Sequence, residues 1–102
     1  MANKNNIVKQ EIIDRIKSHK DILHKKYGVI RIGLFGSYAR DTFDEESDID
    51  IYVEFDKNSF DNIAKTWVYL EKILGRKVDL VYNHIRINPT LKRNIEKEVI
   101  YG

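Results

Sequence analysis

The sequence predicts a small α/β or α+β domain, a mixed sheet of about three strands flanked by helices, and three observations carry that expectation. Apolar residues recur at helical spacing in three stretches separated by glycines or turn residues. Two short runs, "VIRIGLF" at 29–35 and "RKVDLVY" at 76–82, are rich in apolar and β-branched residues and follow Gly28 and Gly75. A third run, "DIDIYVEF" at 48–55, alternates acidic or polar with apolar side chains.

Taken in order, the first element is an amphipathic helix from Ile7 to about Lys26, its apolar stripe made by Ile12, Ile13, Ile16 and Leu23. Its basic last turn, "HKKYG", suits a helix C-terminus and stops at Gly28. "VIRIGLF" is then a buried strand, and "SYAR" opens a short helix after Gly36. In "DIDIYVEF", Asp48, Asp50, Tyr52 and Glu54 share one face and Ile49, Ile51, Val53 and Phe55 the other. Ser59 caps a second long helix with Phe60, Ile63, Ala64, Trp67, Leu70 and Leu74 as its stripe, closed by Gly75. After the third strand, Asn88 caps a last helix with Pro89 at its first position and Leu91, Ile95 and Val99 facing the core. The pattern sets neither strand order nor direction.

A chain of 102 residues is expected to form one domain, residues 1–102, with one core. Cysteine is absent, which excludes disulfides and thiolate metal sites and is compatible with a reducing cytoplasm. No apolar run has signal-peptide or membrane-spanning length, so a soluble cytoplasmic protein is expected. The net charge of +2 conceals a division: residues 1–31 carry eight Lys/Arg against three acids, 62–102 eight against four, and 41–61 only Lys57 against nine acids. That acidic middle makes direct nucleic-acid binding unattractive, because phosphate contacts need a continuous basic surface. The basic first helix is either a solvated face or a docking surface for an acidic partner or a second copy.

Chemistry concentrates between residues 36 and 50. Asp48 and Asp50, two apart on a strand, leave the same face, and anions so close are relieved by a raised pKa or a bound cation. Mg²⁺ is a hard ion held by one or two carboxylates plus substrate phosphates, although an acidic strand edge in solvent would look the same. Asp79 is the one acid of the third strand; if that strand neighbours the second, three carboxylates meet in a cleft suited to two metal ions roughly 4 Å apart. Its structural alternative is a partner for Lys77 or Arg76. Gly36 lets a phosphate approach the backbone, and turn amides beside the Ser37 hydroxyl make an anion site, or else a plain strand-to-helix turn.

Gly36-Ser37, ten residues, then Asp48-x-Asp50 resembles the signature of the nucleotidyltransferase superfamily that includes DNA polymerase β. "GSYAR" leading to "SDIDIYV", with the closing "INPTLKRNIEKEVIYG", is most similar to its minimal nucleotidyltransferase (MNT) branch. The resemblance implies that Asp48, Asp50 and Asp79 bind Mg²⁺, two ions in all, and that Asp79 also aligns the attacking hydroxyl. It implies that Gly36 and Ser37 clamp the phosphates of ATP, that Arg40 meets phosphate or the partner, and that Ser47 orients Asp48. The family often has Gly after this Arg, where Asp41 stands here. The shortness of the chain suggests a macromolecular acceptor. The resemblance then implies an antitoxin that transfers AMP from ATP to a tyrosine hydroxyl of a HEPN-type RNase toxin. Two alternatives stay open: a non-catalytic module that sequesters its partner, and a small-molecule nucleotidyltransferase with a separate acceptor-binding subunit. His19, His24 and His84 have no ligand-spaced partner and are read as structural or solvated, Trp67 and Phe60 as core, and Tyr38 as a packed ring rather than a base-stacking one.

Overall fold

The computed structural model describes residues 8–83 and 88–102. The elements run α1 (Lys9–Tyr27), β1 (Val29–Phe35), α2 (Gly36–Ala39), β2 (Ile49–Phe55), α3 (Phe60–Leu74), β3 (Val78–Tyr82), α4 (Pro89–Glu98) and β4 (Ile100–Tyr101). Every expected element is present, α1 stops at Gly28, the Ser59 side chain accepts from Asn62 N–H, and Asn88 caps α4 ahead of Pro89. The N-terminal start expected at Ile7 and the side chain of His84 lie outside the described residues.

The four strands form one mixed sheet in the order β3-β2-β1-β4. β1 pairs antiparallel with β2 and with β4, while β2 and β3 run parallel, joined by α3 as the crossover helix. Four strands replace the three expected. The additional one, β4, is two residues long, too short to register as a period-two pattern, and it takes the open edge of β1 opposite Gly33 and Leu34.

One face of the sheet carries the main core. Ile32 and Leu34 of β1, Ile49, Ile51 and Val53 of β2 and Val78 and Leu80 of β3 meet Ile12, Ile13, Ile16 and Leu23 of α1 and Leu70 and Leu74 of α3. Full burial of one such aliphatic side chain stabilises the fold by about 1.5–3 kcal/mol. On the opposite face a smaller cluster forms from Phe35, Tyr52 and Ile95, with α4 lying over that part of the sheet. The acidic face of β2 is therefore divided: Tyr52 is buried under α4, and only its flanking acids stay near solvent.

Three expectations about packing are corrected. Phe60 is 87% exposed and Trp67 is 37% exposed, so neither is a core residue; Trp67 lies against β3 and its indole N–H donates to the Val78 carbonyl at 2.7 Å. The buried face of α3 is turned toward Thr66, Leu70 and Leu74 instead. Leu91 of α4 is exposed as well, leaving Ile95 as the buried residue of that helix. Tyr38 does pack, buried and stacked on Phe43 with ring centroids 4.2 Å apart. His19 bonds the Tyr69 hydroxyl at 2.7 Å and His24 the Val29 carbonyl at 2.9 Å, both structural contacts.

Candidate active site

Parallel pairing of β2 with β3 puts Asp50 opposite Asp79, and paired residues in a sheet project from the same face. Asp48 immediately precedes β2 and is exposed, as is Asp79, whereas Asp50 is partly buried. Burial pushes the Asp50 carboxyl up to about 6, and the charges of Asp79 and then Asp48 push the same way. A hydrogen bond from the Ser37 backbone and the charge of Arg40 oppose that rise. Asp79 and Asp48 thus both act on Asp50, and the turn that follows β1 reaches the same carboxylate.

Gly36 is where the two motifs touch. It has φ +75°, and a β-carbon there would stand 2.0 Å from Asp50 Oδ2. Both facts require glycine, one through backbone conformation and one through space. The Ser37 amide faces Asp50, while the Gly36 amide donates to Glu98 Oε1 at 3.0 Å. Arg40, at the end of α2, meets both oxygens of Glu98 at 3.1 and 2.9 Å.

Ser47 is placed differently from its expected role. Its hydroxyl donates to Asp44 Oδ1 at 3.2 Å and accepts from the Asp44 backbone N–H at 3.0 Å. Asp44 Oδ1 also accepts from the Glu46 N–H, so these side chains close the acidic turn on its own backbone. Part of the surplus acidity before β2 is accordingly turn chemistry. Asp41 holds φ 59°, the left-handed region, and pairs with Lys9 at 2.9 Å.

Among the described residues, no three His, Cys, Asp or Glu side chains converge closely enough to form a ready-made metal cage. The donor set still fits a hard divalent cation. Asp48, Asp50 and Asp79 offer carboxylate oxygens from one region, and a cation would relieve the like-charge repulsion that adds to burial in raising Asp50. The fit is to an ion that brings phosphate oxygens with it, not to one held by protein alone. A groove of about 470 Å³ lined by Tyr27, Ala64, Lys65, Val68, Tyr69 and Lys72 lies along α1 and α3, on the helical side of the sheet and away from these acids.

Glu98 escaped the sequence reading. One signal pointed to it: an acid at the last position of a helix opposes the partial negative charge there, and so calls for a cationic or N–H partner.

Residues 16–101 match the family model described as a nucleotidyltransferase domain. A Methanocaldococcus jannaschii protein named as a candidate protein adenylyltransferase is 52% identical over 94 residues, which span 89% of this chain and 94% of that protein. A solved structure described as a candidate minimal nucleotidyltransferase superposes with a TM-score of 0.79 at 27% identity, covering 94% of this chain and 97% of the other. A crystal structure of a toxin-antitoxin with AMP-PNP gives a TM-score of 0.63 at 25% identity over 83% of this chain and 70% of that one.

Proposed function

The chain belongs to the nucleotidyltransferase domain family and is an enzyme of that kind, and from that premise we propose that it is an antitoxin transferring AMP from ATP to a tyrosine hydroxyl of a HEPN-type RNase toxin. The observation that carries the site assignment is the register of Asp50 with Asp79 on parallel strands, with the Gly36 turn pressed against Asp50. The protein adenylyltransferase name of the 52% identical relative supports the reaction type. The toxin-antitoxin neighbour with AMP-PNP, an ATP analogue, supports both the nucleotide and the partner class.

In this reading Gly36, Ser37 and Arg40 receive the phosphates, and Asp48, Asp50 and Asp79 hold Mg²⁺, which supplies charge neutralisation on the phosphate oxygens when bound. Asp79 is the exposed member of the Asp50–Asp79 pair, open to an approaching acceptor. It lines up the tyrosine hydroxyl and accepts its proton. The tyrosine oxygen bonds to the α-phosphorus as the bond to pyrophosphate breaks, and the proton passes from Asp79 to solvent. Ser47, committed to Asp44, serves by shaping the turn that presents Asp48.

The test is to incubate the protein with Mg²⁺, ATP and the helical protein encoded beside it, and to weigh that partner by mass spectrometry. Addition of AMP to a tyrosine is expected, lost in chelator and reduced at least about 100-fold in Asp50→Asn, the scale for removing one charge-stabilising group. An RNase-active partner that gains no mass would sink the proposal.

A further inference from the structure

Glu98 has no part in the chemistry above, yet its carboxylate occupies two of the donors assigned to phosphate. Oε1 accepts the Gly36 N–H at 3.0 Å, and Arg40 Nη1 reaches Oε1 and Oε2 at 3.1 and 2.9 Å. Glu98 is about a quarter exposed on its side chain, and its position at the C-terminal end of α4 disfavours an acid unless such donors hold it. Charge-assisted contacts of this kind are the stronger hydrogen bonds of a protein surface.

At Gly36 the amide is already taken. Gly36 lies between Glu98, on its amide, and the Asp50 carboxylate, which fills the space a β-carbon would need. The Gly36 amide has a single hydrogen to give. A phosphate oxygen arriving there meets a carboxylate already bonded to that hydrogen, and like charges at hydrogen-bond distance repel.

We infer that Glu98 is the resident anion of the Gly36 turn, and that a nucleotide binds by taking the Gly36 amide and Arg40 from it. The inference rests on the nucleotide reading given above and adds a gate to it. The occupied state lowers apparent affinity by the fraction of molecules in which Glu98 has let go. Because Glu98 ends α4 and leads through Val99 into β4, the exchange also links nucleotide occupancy to the C-terminal strand on β1.

Calorimetric titration with ATP and Mg²⁺, and separately with inorganic tripolyphosphate, compares the natural protein with Glu98→Gln. The variant keeps an oxygen for the Gly36 amide and loses the charge. It is expected to bind both ligands about five-fold more tightly, with equal gains, because Glu98 competes with phosphate and not with the base. Equal affinities, or weaker binding by the variant, would overturn the gate while leaving the nucleotide reading intact. Failure of both proteins to bind either ligand would overturn both readings. In the unmutated protein, the ¹³C signal of the Glu98 carboxyl should shift on ATP addition, so an unfolded variant does not shield the inference; a stationary signal under saturating ATP would also overturn it.

Discussion

Gly36 has room for no β-carbon, and that one restriction ties the phosphate turn to the acids of β2. The sequence presented the glycine as a turn residue; the structure shows that Asp50 Oδ2 fills the side-chain space. Asp50 in turn is lifted to about 6 from an ordinary 3.8 by burial and by its like-charged neighbours. The folded state therefore binds the Asp50 proton more tightly than the unfolded state. Stability from this group is fully present below about pH 3.8 and is lost as pH rises through about 6, the reverse of a salt-bridged carboxylate. Discounted for solvent at a partly exposed group, the effect is of the order of 1 kcal/mol. Asp50→Asn, examined by calorimetry in chelator at pH 7.5, should raise Tm by a few degrees, with the difference shrinking at pH 4.5. A variant less stable than the natural protein at pH 7.5 would show that Asp50 is not under this strain. At Asp41 the left-handed backbone has a local cost, since φ 59° disfavours any β-carbon by roughly 1 kcal/mol. The exposed pair with Lys9 offsets only part of that.

Elements were legible where their signal was local. Caps and stops at Ser59, Gly75 and Asn88 depend on a few adjacent residues, and they lie where expected. The face of α3 was less legible because its apolar residues go nearly round the helix: Phe60 and Val68 face outward, Trp67 lies half-exposed against β3, and Thr66 is fully buried. Only the position of the sheet beneath decides which stripe is inside. β4 shows the same dependence. Two residues become a strand because Gly33 of β1 admits them: a β-carbon at Gly33 would stand 2.6 Å from Val99 Cγ2 and 3.0 Å from the Ile100 carbonyl. Gly33→Val is expected to cost about 1–3 kcal/mol and to displace β4. Denaturant titration measures the first, and faster hydrogen exchange at the Gly102 amide, which donates to the Ile32 carbonyl at 3.0 Å, the second; an unchanged exchange rate would mean that β4 does not depend on this close approach.

For the whole molecule, we propose that the chain is one cooperative domain, because α1, α3 and all three long strands share a core. Trp67, bonded to the Val78 carbonyl, is a natural reporter of α3 on the sheet. Unfolding followed by its fluorescence and by far-ultraviolet circular dichroism should give coincident curves, and separated midpoints would reveal two units. No helix among the described residues is long and apolar enough to cross a membrane. The sequence by itself determined the helices, the three longer strands and the spacing from Gly36-Ser37 to Asp48-x-Asp50, since each is encoded in neighbouring residues through periodicity, caps and turn chemistry. Tertiary structure alone decided that β2 and β3 run parallel with Asp50 opposite Asp79, that α4 covers Tyr52, and that Glu98 holds the Gly36 amide and Arg40. Those are contacts between residues far apart in the chain, and their register is selected by the burial of whole faces and by the pairing of charges, which no local pattern contains.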